Sequence, residues 1–435
     1  MRLDSSAAGD FASFRSLVVV SAATLLAIVL LSACAGPFSW RTRDNSDNQA
    51  AQAEKDPALL LFAPQGTPER DEALRDILTS LNQLNPSVGI TVTLSANYDA
   101  DLADALASKR PPDVYLVTGS MLPDLVAAGD VTPIAPEWID QSQLLSAAAQ
   151  GIQVDGKTYC FPHSVHTMAL IYNADLFADA GVEPPSSDWN WENLATAAAS
   201  LTISDTGTVG LVLDPTPLTW ALFYLQAGGE LGMQEDGSDV FSAGAGRLAA
   251  DYMASLFANG IAVSPEQLET SWSGEAFATG DVGLMFAGDW ILPFLASSHL
   301  PFSYGVSELP RGPSRTGNFA FANCVAVHAQ SQHEDLALQL AQQLTAPEVL
   351  GRWADTVDDA LSVYIVQEVV TQPVRSSVAP FLRALRYATP WRLGNVVQQY
   401  SNRFHDGLIM VADEEMTAEE FWPYILQAGL RTTTP

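Results

Sequence analysis

Short apolar runs alternate with stretches of helical spacing along most of this chain. Ala58-Leu-Leu-Leu-Phe62 is a continuous apolar run stopped by Pro64-Gln65-Gly66, the pattern of a short buried strand. Ala73, Leu74, Ile77, Leu78, Leu81 and Leu84 then recur on one face of a predicted helix that Asn85-Pro86 ends. Ile90, Val92 and Leu94 alternate as in a strand, residues 99–109 read as a helix closed by Pro111-Pro112, and residues 114–117 read as a third strand. This β-α-β-α-β order predicts an open, parallel α/β sheet. Ligands of such sheets bind beyond the carboxyl ends of the strands. Those ends hold Gln65, Asn97, Tyr98 and Ser120, which are candidate contacts, with ordinary loop roles as the alternative.

The alternation continues. Strands are expected at 157–161 and 168–172, after which Asn173 caps a helix that Gly181 terminates. Helices follow from about Trp191, from Pro217 to Gly228-Gly229, and over 247–258. Residues 282–286, 302–306 and 324–328 read as strands, a helix starts near Glu334, and the chain is almost wholly helical from about Val378. No internal repeat is visible.

The N-terminus follows a different pattern. Arg15 precedes the apolar run from Leu17 to Leu31, as the n-region of an export signal precedes its h-region. Leu31-Ser32-Ala33-Cys34 resembles the bacterial lipobox, in which the Cys is lipidated and becomes the first residue after cleavage. The alternative is an uncleaved membrane helix. The expectation is therefore a signal peptide over 1–33, lipidation at Cys34, and a polar tether over 34–56.

Charge narrows the partners. The net charge is −30, and only three of the 20 basic residues are Lys. No basic cluster exists, and such a surface repels phosphate backbones, so no nucleic-acid partner is expected. With Cys34 set aside, Cys160 and Cys324 remain, without a C-x-x-C or a His-Cys cluster, so neither a metal nor a cofactor is expected. The chain also lacks a Gly-x-Ser-x-Gly elbow, a His-Glu-x-x-His pair and a phosphate-binding Gly-Lys-Ser/Thr loop. A hydrolase built on paired carboxylates stays open as a rival reading.

The more specific residues begin at Gly156-Lys-Thr-Tyr-Cys-Phe-Pro162 and continue through Leu170-Ile-Tyr-Asn173, Asp175-Leu-Phe177, Ala180-Gly181 and Trp191. Pro112-Asp113-Val114 with Leu125, Ala127 and Gly129 adds to them, as do Phe277, Gly280, Met285, Gly288-Asp289-Trp290 and Leu309-Pro310. Together these resemble the carbohydrate-type (family 1) solute-binding proteins of ABC importers, across essentially the whole chain. Ala174 replaces a usual Lys, and Phe321-Ala322-Asn323-Cys324 stands where relatives usually carry a Gly-Gly pair.

The resemblance implies a type II periplasmic-binding-protein-like fold of two α/β lobes closing on a solute about a hinge. It places 57–162 plus 324–371 in the N-terminal lobe and 163–323 plus 372–435 in the C-terminal lobe, with crossings near His163, Asn323 and Gln372. It further implies a non-catalytic, monomeric carrier at the outer face of the cytoplasmic membrane that hands a carbohydrate to ABC permease subunits. Polyamines or peptides are the runner-up ligands. A sugar presents an apolar C–H face and a rim of hydroxyls, which call for an aromatic platform and short polar side chains. Trp290 aligns with the family's ligand aromatic and Trp391 with a later one; Asp289, His163, His166 and Asn323 are candidate hydroxyl contacts, and Trp220 a weaker aromatic one. If that topology holds, Cys160 and Cys324 flank the crossings and form a disulfide, two free thiols being the alternative.

Overall fold

Each half of the protein builds its sheet from the same plan, and the two halves share their longest strands. The computed structural model describes residues 58–84, 89–203, 205, 207–231, 244–351, 363, 376–391 and 398–427. The expected signal peptide and tether, Cys34 and the expected crossing near Gln372 lie outside these residues. Asp56–Pro435 forms one unit.

Strands β1 (Ala58–Pro64), β2 (Gly89–Ser95) and β3 (Val114–Val117) run parallel in the order β2-β1-β3. Leu59, Leu61, Phe62 and Ala63 of β1 are all buried, because a parallel sheet has both faces covered and its strands read as near-continuous apolar runs. The helix Pro68–Leu84 supplies one cover, packing Leu74, Ile77, Leu78 and Leu81 on the sheet.

A hairpin of β4 (Gln153–Val154) and β5 (Lys157–Thr158) follows, turning through Asp155 and Gly156 at positive φ. It leads into β6 (Cys160–Asn173), a single 14-residue strand where the sequence pattern suggested two shorter ones. The polar interruption that hid its continuity, His163 to Thr167, is the point where it passes from one lobe to the other. Asn173 caps the next helix as expected: its Oδ1 accepts from the amides of Asp175 and Leu176, both at 3.1 Å. The second lobe then adds β7 (Val209–Val212), β8 (Ala262–Val263), β9 (Val282–Gly288) and β10 (Tyr304–Ser307). The chain returns through β11 (Phe319–Val327), and β12 (Thr389–Pro390) pairs with its start.

The ten-stranded sheet has the order β2-β1-β3-β11-β6-β9-β7-β8, with β10 on β6. In the first half, β2-β1-β3 are parallel, β11 enters antiparallel, and β6 lies beyond it. In the second half, β8-β7-β9 are parallel, β6 enters antiparallel, and β10 lies beyond it. Each lobe thus receives one strand from the other. Strand β6 pairs with β11 as far as Thr167 and with β9 from Met168 onwards. The β11–β6 register shifts between Asn323 and Cys324, at the segment that departs from the family's Gly-Gly. Cys160 and Cys324 are joined by a disulfide across these strands, with Cα atoms 5.7 Å apart.

The C-terminal helices Gln398–Ala412 and Ala418–Leu426 close the second lobe. Their Phe404 and Trp422 pack on Trp220, which also stacks on Tyr224 with centroids 4.8 Å apart. Trp220 is 1% exposed and donates its indole N–H to the Gly246 carbonyl at 3.1 Å. The structure therefore places it in the core rather than in a ligand site. No helix among the described residues is long and apolar enough to cross a membrane.

Candidate functional site

Both crossing strands carry polar residues at the point where they leave one lobe for the other. Around them lies an open cavity of about 430 Å³ lined by Arg70, the loop from Thr118 to Ser120, His163, Ser164, His166, Trp290, Phe321 and Asn323. A volume of this order is typical of small-molecule sites, about 300–1,000 Å³. The first lobe contributes the end of β3 and Arg70 from the start of the helix after β1. The second contributes Trp290, which follows β9.

Trp290 is 39% exposed, one of few large apolar side chains so placed among the described residues. Its ring lies over Gly288, where an added Cβ would sit 2.1 Å from a ring carbon. Glycine there clears the space that lets the indole lie along the cleft. His166 meets the ring edge-on, with centroids 6.1 Å apart. Gly119 has a comparable reason: a Cβ would approach the Ala322 backbone N and O to 3.1 Å, so the loop after β3 closes tightly on β11.

Asp289 is 3% exposed and does not face the cavity. Its Oδ1 accepts the Thr167 amide at 3.2 Å and its Oδ2 lies 2.9 Å from His166 Nδ1. The other ring nitrogen, Nε2, is 2.9 Å from Ser164 Oγ, which in turn accepts from Asn323 Nδ2 at 3.3 Å. Sequence spacing offered His166 no nearby carboxylate; the fold brings one from 123 residues away. The order Asp–His–Ser is also that of a nucleophilic triad. Here Ser164 is 3% exposed, lies within a strand and accepts from Asn323. Among the described residues no three His, Cys, Asp or Glu converge as a metal shell.

His163 is held far down, at about 3 against the usual 6.5, by burial first and then by Arg70 and His166 beside it. It is neutral at physiological pH and can offer a cleft one donor and one acceptor.

Of the residues nominated from sequence, Ser120, His163, His166, Trp290 and Asn323 come together in this cavity. Trp391 is 6% exposed and packs on Phe319 and Phe321, so it backs the wall that Phe321 presents. Tyr98 is buried with its hydroxyl donating to the Leu116 and Phe62 carbonyls, a tie between β3, β1 and the helix Tyr98–Leu106. Asn97 is exposed at the start of that helix. Gln65 lines a separate depression with Asp71, Glu72 and Arg75. Arg70 and Ser164 were missed. Arg70 had a usable signal, since it opens the helix directly after a strand's carboxyl end.

The family model for bacterial extracellular solute-binding proteins matches residues 79–365. A Brucella abortus (strain 2308) protein named only as a binding protein is 24% identical over 258 residues, 57% of this chain and 59% of its own length. The diacetylchitobiose binding protein DasA of Streptomyces coelicolor is 26% identical over 257 residues, 54% of this chain and 57% of its own. The chain thus spans less than two thirds of the length of these curated relatives. An ABC substrate-binding protein of Listeria monocytogenes, solved in complex with cycloalternan, shares the two-lobed fold. Its TM-score is 0.75 at 19% identity, covering 88% of this chain and 100% of that one.

Proposed function

The chain belongs to the bacterial extracellular solute-binding protein family, and we propose that it captures a carbohydrate in the interlobe cavity and delivers it to an ABC importer. The observation that carries this reading is Trp290, an exposed indole beside Ser120, His163 and Asn323. A flat apolar face flanked by hydroxyl, imidazole and amide groups complements a sugar ring, which is apolar on its face and polar at its rim. No carboxylate lines the cavity among the described residues, and both oxygens of Asp289 are engaged. That favours a sugar over a polyamine. The binding family at large carries rather than converts its solutes, and we assign this chain no catalytic step.

The finer parts of the proposal are these. The protein acts as a monomer at the outer face of the cytoplasmic membrane, anchored by lipid at Cys34. The lobes divide at 162/163 and 323/324, which fall within the crossing strands, and again near 371/372.

The test is calorimetric titration of residues 56–435 with diacetylchitobiose, maltotetraose and a wider sugar panel, with spermidine and short peptides as controls. A saccharide that binds wild type should bind Trp290→Ala about tenfold more weakly, as loss of one stacking contact implies. Binding of spermidine or peptide alone would overturn the sugar reading.

A further inference from the structure

The buried carboxylate behind the cleft has no direct role in touching solute, yet it anchors a chain of hydrogen bonds along the cleft floor. We propose that Asp289 is a positioning residue: it fixes the tautomer of His166 and thereby the direction of every hydrogen bond along Asp289–His166–Ser164–Asn323. This rests on the reading of the cavity as a solute site.

The direction follows from the groups. A carboxylate only accepts, so a neutral His166 must carry its proton on Nδ1 to bond Asp289 Oδ2 at 2.9 Å. Nε2 is then an acceptor, and the Ser164 hydroxyl must donate to it at 2.9 Å. With its proton committed, Ser164 Oγ offers lone pairs, and Asn323 donates its amide to them at 3.3 Å. Donation runs Asn323 to Ser164 to His166 to Asp289, always toward the buried carboxylate. Asn323 is thereby held with its nitrogen on Ser164, which fixes the amide orientation presented by the floor. His166 is held edge-on to Trp290 by the same bond. Polar floor and aromatic platform are set by one acid, joined to the strand it steers by the Thr167 amide at 3.2 Å.

That last contact makes the proposal testable by an isosteric change. In Asp289→Asn, the Thr167 N–H continues to claim the oxygen end, since it can only donate. The new NH2 group must then face His166 Nδ1, which becomes the acceptor, and the ring proton moves to Nε2. Ser164 can no longer donate to Nε2: its Oγ accepts from the ring instead, and its hydroxyl proton is freed, so nothing further obliges Asn323 to keep its nitrogen on Ser164.

The experiment is long-range 15N–1H correlation of the imidazoles in ligand-free protein at pH 8, with His166 assigned through His166→Gln. Wild type should show the Nδ1–H form and Asp289→Asn the Nε2–H form. An Nε2–H ring in wild type, or an unchanged tautomer in the variant, overturns the relay. Titration of both proteins with diacetylchitobiose and maltotetraose reads the consequence. The variant should lose about tenfold in affinity for whichever binds, as expected for one reversed hydrogen bond in the floor. A switched tautomer with unchanged affinity would overturn the link to recognition. If neither sugar binds wild type, the sugar reading falls while the tautomer still decides the relay. Should Asp289→Asn fail to fold, Ser164→Ala keeps the acid–imidazole pair and cuts the next link. It should retain the Nδ1–H form and still weaken binding; a full-affinity Ser164→Ala protein would count against the relay.

Discussion

His163 and His166 sit three residues apart on one strand and have different neighbours. His166 has a buried carboxylate at 2.9 Å. His163 instead has Arg70 and His166 around it in a buried setting, which holds it down at about 3. The unfolded chain binds a proton at this position below about 6.5, whereas the native state does not until about 3. Between those values the unfolded state holds more protons, so acidification costs stability, by at most about 1.4 kcal/mol per pH unit from this group. Above 6.5 the effect vanishes. Melting temperatures from pH 7 to pH 5 should fall less steeply in His163→Gln than in wild type; equal slopes would place the acid sensitivity elsewhere.

At the scale of elements, β6 and β11 do three jobs: they complete both half-sheets, form the crossing, and line the cavity. The disulfide ties them on the first-lobe side, next to the register shift at Asn323. It closes a segment with a sequence separation of 164, and loops of this length give a cross-link its largest effect on the unfolded chain. Cys160→Ser or Cys324→Ser should lower the unfolding free energy by about 2–5 kcal/mol in denaturant titration. Loss of less than half a kilocalorie would mean that the ladder between the strands suffices. Much of this level was legible in the sequence. Strands β1 to β3 could be read from apolar runs because parallel strands are covered on both faces, and Asn173 and Gly181 punctuate a helix by well-defined capping chemistry. Strand β6 was cut in two because its crossing stretch, His163 to Thr167, is polar for reasons that involve the other lobe. The shared strand plan of the two halves left no trace as a repeat, since pairing order depends on backbone direction and tolerates any apolar side chains.

For the whole molecule, the site is where legibility ends. Trp290 and Asn323 could be nominated because the family resemblance implies a ligand aromatic at the first and a crossing at the second. The partner that steers them, Asp289, is 122 and 123 residues from the groups it bonds, Thr167 and His166, and no local pattern pairs them. Trp220 was nominated as an aromatic and Tyr98 from its place at a strand's carboxyl end. The core claimed both, since a ring that finds a buried acceptor is better placed inside than at a cleft.

The Cys160–Cys324 bond also makes most of the second lobe a closed ring hanging from a linear chain. A pull on the two ends of the protein is carried through the bond, so the ring cannot lengthen even when its lobe has lost its structure. At about 3.4 Å per residue, roughly 550 Å of contour is withheld. Stretching single molecules should show that much extra extension when reductant is added, and equal extension with and without it would mean that the bond does not carry the load. In the oxidised protein, the lobe bearing the indole can come apart without being drawn out, and its strands remain tethered beside the two that must receive them.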